Sequence, residues 1–242
     1  MNSAYHRRMR DAGELGGITS SELRTSTAPS IIVPLGSTEQ HGPHLPLDTD
    51  TRIASAVACV VGRRVGWLVA PAIAYGASGE HQSFAGTISV GTEALVGLLV
   101  EYGRSATCWA GRLAFLNGHG GNIDAVSRAV GLLRSEGRDV AWCPCVAVGA
   151  DAHAGRFETS VLLHISAEDV RTDRIRAGND APLPELLPAM RRGGVAAVSR
   201  TGVLGDPTGS TAVEGRRFFA EMVDEGAARI VRWTPANHGM LT

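Results

Sequence analysis

The stretch "SIIVPLGSTEQHGPHLPLDTDTRIASAVACVVGRR", residues 30 to 64, contains an apolar run, a polar loop and a helical pattern in succession. The short uncharged run at 30–36 predicts a buried strand. Residues 50–64 carry apolar side chains at helical spacing, with Asp50 or Thr51 positioned to cap the helix start. A strand, a loop and a helix in this order form the basic unit of a parallel α/β sheet.

The rest of the chain repeats this alternation. Three further strands are predicted at 66–73, 112–118 and 139–149, and four further long helices at 92–110, 122–137, 154–166 and 212–233. Strands that alternate with helices of this length predict an α/β fold, in which a mostly parallel central sheet lies between two helical layers. We therefore expect one three-layer α/β/α catalytic domain over residues 28–242, preceded by an N-terminal segment, residues 1–27, with little pattern.

Composition excludes several functional classes. The chain has 242 residues and a formal net charge of -1, a balance that argues against the strongly basic face typical of nucleic-acid or membrane-surface binding. No uninterrupted apolar stretch reaches the roughly 20 residues of a membrane-spanning helix. The four cysteines form no zinc-type pair of CxxC motifs, and no secretory signal is apparent. A cytoplasmic protein with reduced thiols is the expectation.

The loop after the first strand concentrates potential metal ligands. Glu39 and His41 are two residues apart, and such side chains project to the same side of an extended segment. A carboxylate and an imidazole together suit zinc, iron or manganese. Asp50 follows nine residues later and can either cap the next helix or bridge two ions. The alternative interpretation is a polar loop with an ordinary helix cap.

A second polar cluster follows the third predicted strand. His119 lies in "NGHGGN", residues 117 to 122, where the glycines permit close backbone approach. A phosphate-binding loop is disfavoured, because the spacing fits neither GxGxxG nor GxxxxGK[ST]. The carboxyl ends of parallel strands open at the same edge of a sheet. We therefore expect His119 to meet the loop that carries Glu39 and His41.

Two later segments carry further polar side chains. In "DAHAGRFETS", residues 151 to 160, Glu158 can complete the ligands of a second ion or stabilise a helix N-terminus. His153 can move protons or hold a reaction oxyanion, or it can be an ordinary surface loop residue. Glu80 and His81 lie in a Gly/Ser-rich loop, residues 76 to 91, that could close over a substrate.

With "EQHGPHLPLDTD", "GEHQSFAGTIS", "NGHGGN" and "HAGRFETS" in this order, the chain resembles the creatininase family of metal-dependent amidohydrolases. The resemblance covers about residues 28 to 235. It implies a layered α/β/α fold, a site for two divalent metal ions and a ring-like homohexamer. The ligands of the family's first motif fall on Glu39, His41 and Asp50, with Asp50 as the bridge. The histidine of the glycine-rich turn falls on His119, and the catalytic histidine of creatininase falls on His153.

The chain departs from creatininase at two points. Creatininase has a ligand glutamate two residues after the turn histidine, where this chain has Gly121, and we expect Glu158 to replace it. The substrate-binding tryptophans of creatininase have no clear match near Gly149 or His153, which argues against creatinine as the substrate. The motifs resemble a branch that hydrolyses a peptide bond near the C-terminus of a modified ribosomal peptide and releases its valine–tyrosine portion.

Several alternatives remain open at the level of sequence. The chain could hydrolyse a small cyclic amide or a formamide, catalyse a metal-dependent isomerisation, or bind metal without catalysis. The ligand types allow zinc or iron, with manganese as a further option.

Overall fold

The central sheet of the computed structural model, which describes residues 13–24 and 28–242, is entirely parallel within that part of the chain. Its strands lie in the order β2-β1-β3-β4. Their bounds are β1 Ile31–Leu35, β2 Leu68–Val69, β3 Leu113–Asn117 and β4 Val140–Pro144. Register is regular across the centre, where Ile31 is opposite Leu113 and Leu35 is opposite Asn117. The predicted parallel sheet is confirmed.

Helices cover both faces of this sheet. The described residues form seven α-helices: α1 Ser20–Leu23, α2 Thr49–Val65, α3 Thr92–Ala106, α4 Ile123–Ser135, α5 Arg156–Ile165, α6 Leu183–Gly193 and α7 Ala212–Arg232. Helices α3 and α4 pack together on one face, and α2, α5 and α7 pack together on the other. This arrangement is the predicted three-layer α/β/α fold. No helix in the described part of the chain is long and apolar enough to cross a membrane.

The core follows the two-residue period of the strands. Ile31 and Phe115 belong to the apolar cluster beneath α3 and α4, whereas Ile32 and Leu116 belong to the cluster beneath α2, α5 and α7. Successive side chains of a strand point to opposite faces, so each strand contributes to both clusters. All five residues of β1 are buried, because helices cover both faces of the sheet.

The order of the strands positions the functional loops. From β1 the chain passes through α2 to β2 on one side, whereas from β3 it passes through α4 to β4 on the other. The chain direction therefore diverges between β1 and β3, where open α/β sheets form their ligand crevice. The loops after β1 and β3 are joined there by a hydrogen bond from the Gly118 amide to the Leu35 carbonyl oxygen, 2.8 Å long.

Two local predictions were wrong. Helix α2 begins at Thr49 with Asp48 at its N-cap position, so neither Asp50 nor Thr51 caps it. Helix α6 was not predicted, since prolines at positions 182, 184 and 188 usually interrupt a helical pattern. In the structure the first two of these prolines lie at the N-cap and in the first turn, where a helix lacks partners for its N–H groups.

The N-terminal segment contributes to one edge of the sheet. The Val69 amide donates a 3.1 Å hydrogen bond to the Gly13 carbonyl oxygen, and Glu14 forms a parallel bridge with Val69. Residues 1–12 and 25–27 lie outside the described residues. The predicted boundary between residues 27 and 28 stays a prediction.

Candidate metal centre

Asp50 lies at the middle of the polar cluster, in the first turn of α2 with 1% of its surface exposed. Its Oδ1 lies 3.1 Å from His41 Nε2, and its Oδ2 lies 3.2 Å from His119 Nδ1. The Ser37 hydroxyl donates a 2.8 Å hydrogen bond to Oδ2. The two oxygens of one carboxylate thus face two different imidazoles, as expected of a carboxylate that could bridge two ions.

One candidate ligand group consists of Glu39, Asp50 and His119. One ligand atom from each residue lies within 4.8 Å of the other two. Glu39 Oε2 lies 3.1 Å from His119 Nε2. Glu39 is fully buried, and neither of its carboxylate oxygens has a hydrogen-bond partner among the described residues. Buried carboxylates without partners are costly unless a cation compensates them.

A second candidate group consists of His41, Asp50 and Glu158. His41 Nδ1 lies 3.1 Å from the Glu39 carbonyl oxygen, which can only accept, so Nδ1 carries the proton. Nε2 therefore faces the carboxylates of Asp50 and Glu158, the latter at 3.8 Å, and is the atom that would bind an ion. A backbone partner of this kind commonly orients a metal-binding histidine. Glu158 Oε2 also accepts a 2.6 Å hydrogen bond from the Ala154 amide.

His153 and His81 stack beside these two groups. The His153 ring lies with its centroid 4.4 Å from that of His41 and 4.3 Å from that of His81. His153 Nε2 donates to the Gln40 carbonyl oxygen at 2.8 Å, which leaves the Nδ1 lone pair facing Glu39 Oε1 at 3.7 Å. Both histidines are at least 93% buried, so they face the cluster and not solvent.

Gln40 holds this histidine pair and was missed by the sequence analysis. Its side-chain amide donates to His81 Nδ1 at 2.8 Å and to the Gly202 carbonyl oxygen at 3.1 Å. Its Oε1 accepts from the Gly42 amide at 2.9 Å, which fixes the orientation of the amide. His81 Nδ1 therefore accepts, so His81 Nε2 carries the proton and lies 3.4 Å from Glu39 Oε1. The alternation of "EQH" hid this role, because it pairs Glu39 with His41 and leaves Gln40 apart.

Burial dominates the electrostatics of the cluster. It raises the pKa of Glu39 to about 7 and the pKa of Glu158 to about 7. Burial also lowers the pKa of His81 to about 3 and holds the pKa of His153 well below its usual range, so both rings are neutral. Burial acts in the same direction on His41, but the Asp50 carboxylate reverses the effect and raises the pKa of His41 to about 10.

The spacing of the donor atoms fits divalent metal ions. Ligand atoms about 2.0–2.1 Å from a tetrahedral or octahedral ion lie roughly 2.9–3.4 Å from each other. The separations from His41 to Asp50, from His119 to Asp50 and from His119 to Glu39 are 3.1, 3.2 and 3.1 Å. A cation would also stabilise the ionised forms of the buried carboxyls. The donor atoms of Glu39, Asp50 and His119 therefore fit a metal ion. In the second group Glu158 Oε2 lies 3.8 Å from His41 Nε2, so it would move a few tenths of an ångström closer to complete that group.

Comparison with known protein families identifies the family of this chain. The family model described as "Creatininase: Creatinine amidohydrolase" matches residues 17–230. The chain belongs to the creatininase family. The predicted resemblance is confirmed.

Relatives and solved structures agree with this membership. The "Mycofactocin precursor peptide peptidase" of Mycobacterium tuberculosis is 69% identical and that of Mycolicibacterium smegmatis is 61% identical, each over 100% of both chains. A solved structure named "Creatininase Mn" has a TM-score of 0.77 and 25% identity, and covers 93% of this chain and 100% of its own. Family membership and these relatives make the chain a hydrolase of amide or peptide bonds.

The structure leaves no room for a side chain at Gly121, where even the Ala77 carbonyl oxygen would lie 2.3 Å from an added Cβ atom. A Cβ atom at this position would lie 2.4 Å from His119 Nε2 and 2.6 Å from Glu80 Oε1. Glu80 Oε1 itself lies 3.6 Å from His119 Nε2, and its side chain is 31% exposed. The Glu80 carboxylate thus occupies space that a side chain at position 121 would need. All eight residues proposed from the sequence lie at this one edge of the sheet.

Proposed function

We propose that the chain is a metal-dependent peptidase that hydrolyses a peptide bond near the C-terminus of the modified mycofactocin precursor peptide and releases its valine–tyrosine-derived portion. The substrate class is supported by the full-length relatives named as peptidases of this precursor. The observation that carries the hydrolytic chemistry is the position of Asp50, which joins the groups Glu39–Asp50–His119 and His41–Asp50–Glu158; a third candidate group, Glu39–His41–His153, lacks it.

The proposed ligands divide between two ions. Glu39, Asp50 and His119 would hold one ion, and His41, Asp50 and Glu158 would hold the other, with Asp50 contributing to both groups. Mixed nitrogen and oxygen ligands suit zinc and iron, and the relative named "Creatininase Mn" supports manganese as a further option. Divalent ions at these positions supply Lewis acidity to an amide carbonyl and lower the pKa of water.

The chain's own residues hold and move protons beside this centre. His153 presents the lone pair of Nδ1 towards Glu39, so it can accept a proton at this atom and return it to the departing amine. The Gln40 carbonyl oxygen fixes this tautomer through its 2.8 Å contact with His153 Nε2. Glu80 and His81 are the proposed substrate-binding residues, and Glu80 is the more accessible of the two.

We further propose that the protein is a cytoplasmic homohexamer that binds neither nucleic acid nor membrane. The hexamer is proposed from the resemblance to creatininase. The absence of nucleic-acid partners is proposed from the near-neutral formal net charge of -1. Light scattering on the purified protein measures the assembly directly, and a mass other than six chains would contradict the hexamer.

A substrate panel in labelled water tests the proposed reaction. The modified precursor peptide, a small cyclic amide and a formamide are each incubated with metal-loaded protein in ¹⁸O-labelled water. We expect turnover of the peptide alone, with one solvent oxygen in the new carboxylate. Turnover of only the small amides would replace the peptidase proposal with a different hydrolase, and turnover without labelled oxygen would indicate an isomerase. We expect the variant Glu158→Gln to lose activity. Its matched control is Glu93→Gln, which changes a carboxylate on the exposed face of α3.

A further inference from the structure

An open groove of about 410 Å³ lies beside the candidate metal centre. One wall consists of Gly79, Glu80 and Ser83, and the other consists of the C-terminal end of α6, residues 190–194. The volume lies within the range of small-molecule and peptide subsites. Because Glu80 Oε1 is 3.6 Å from His119 Nε2, the Glu80 wall joins the groove to the centre.

The α6 wall carries two unpaired arginines. Arg191 and Arg192 line the groove and are exposed, and neither guanidinium has an ion pair or hydrogen bond within the described residues. By contrast, Arg128 and Arg156 pair with Glu93 and Glu214. A helix C-terminus favours cations in general, but this preference does not require them to face a cavity. The groove therefore has an acidic end at Glu80 and a basic wall along α6.

The two walls are fixed relative to each other. Gly194 has φ +66°, and a Cβ there would lie 2.6 Å from the Glu80 carbonyl oxygen, so only glycine allows this contact. A separate apolar cluster contains Leu186 and Val195, and Phe84 from the Glu80 loop packs against it. The end of α6 and the Glu80 loop thus share one small core. Fixed walls can hold a ligand with less loss of conformational freedom.

We propose that this groove binds the part of the peptide substrate next to the cleaved bond, and that Arg191 and Arg192 pair with a carboxylate on that part. The inference rests on the proposed peptidase function. Guanidinium groups pair with carboxylates through charge-assisted, often bidentate hydrogen bonds. The Glu80 carboxylate repels a carboxylate from the end beside His119, which leaves that end for the scissile amide. The groove therefore selects substrates that carry an acidic group at a set distance from the bond.

Binding of matched synthetic peptides tests this assignment. Four forms of the modified precursor peptide, equal in length, carry Asp or Asn upstream of the valine–tyrosine-derived portion and have a free or an amidated C-terminus, so the two sources of a carboxylate are separated. Dissociation constants and cleavage rates are measured with metal-loaded wild type, the double variant Arg191→Gln/Arg192→Gln and the charge-retaining Arg191→Lys/Arg192→Lys. Arg216→Gln is the matched control, because Arg216 is also exposed but lies on α7, away from the groove.

We expect the double glutamine variant to bind the preferred acidic peptide about tenfold more weakly, with little change for its neutral counterpart. Raising salt from about 0.05 M to about 0.5 M should reduce the same preference, because exposed charges are screened. Lysine variants should retain most of the affinity, and Arg216→Gln all of it. Metal content should be unchanged in every variant.

The outcomes separate this inference from the proposed function. Charge-dependent binding without cleavage of any peptide would support the groove assignment and count against the peptidase. Cleavage with equal affinity for acidic and neutral peptides would support the peptidase and overturn the groove assignment. Absence of binding by all four peptides would overturn the groove assignment as well. If amidation of the C-terminus weakens binding, the arginines pair with the terminal carboxylate. If replacement of Asp by Asn weakens binding, they pair with the aspartate side chain.

Discussion

Replacing Asp50 by asparagine should remove metal from both ligand groups at once. Asn keeps the shape of the side chain and an oxygen that can accept from the Ser37 hydroxyl, but it loses the negative charge. The two Asp50 oxygens lie 3.1 Å from His41 and 3.2 Å from His119, the imidazoles of the two groups. No other residue belongs to both of these groups. One substitution therefore weakens two proposed sites.

The magnitude follows from this shared position. Removing a group that only orients a metal ligand costs about 10- to 100-fold in metal affinity. In the proposed assignment Asp50 would supply ligand oxygens directly, so about 100-fold is a lower bound for each ion and about 10⁴-fold for the product of the two constants. Glu158→Gln touches only the group with His41, so it should cost about 100-fold for one ion and leave the other in place.

Elemental analysis of dialysed protein, combined with peptide turnover, measures both effects. Wild type should retain two ions per chain, Glu158→Gln about one and Asp50→Asn fewer than one, in parallel with activity. Circular dichroism confirms that the variants are folded, and Glu93→Gln controls for the loss of an exposed carboxylate. Folded Asp50→Asn with full metal content and normal turnover would refute the shared-ligand assignment.

Three further substitutions test the fold and the supports of the site. Phe115→Ala empties a fully buried position in β3 and should lower the free energy of unfolding by about 3–5 kcal/mol, measured by urea denaturation. Gly202→Ala should lower both stability and turnover, because Gly202 has φ +82° and its Cβ would lie 1.9 Å from Gln40 Oε1; normal activity would show that this contact is dispensable. Hydrogen bonds from Arg104 and Arg138 lower the pKa of Glu136 from 4.5 to about 2, so the ionised form is favoured in the folded state. The stability difference between wild type and Glu136→Gln should therefore be present above about pH 4.5 and disappear as the pH falls towards about 2, and a pH-independent difference would contradict the pairing.

The layered fold and the convergence of the polar loops were predictable from the sequence. Alternating strand and helix patterns specify a parallel sheet, and the carboxyl ends of its strands must share an edge. This geometry is sufficient to bring His119 to Glu39 and Asp50, about 70 to 80 positions apart along the chain. The position of Glu158 beside His41 follows in the same way from β4 and α5.

Features that depend on three-dimensional packing were not accessible from the pattern. The sequence pattern allowed Asp50 to be either a helix cap or a bridge between ions; in the structure its carboxylate faces the cluster, and Asp48 takes the N-cap position without a side-chain capping hydrogen bond. Gln40 acquires its role from Gly202, 162 positions away. The prolines of helix α6 obscured its helical pattern in the sequence. The groove wall that faces Glu80 is formed by this helix and was therefore not predicted either. Such contacts carry no local periodicity by which a sequence could reveal them.

Anomalous diffraction from crystals of the metal-loaded protein tests the central claim most directly. The account predicts two peaks per chain, one contacted by Glu39, Asp50 and His119 and the other by His41, Asp50 and Glu158. Asp50 should contact both. A catalytically active crystal form with a single peak, or with peaks that Asp50 does not contact, would contradict the account.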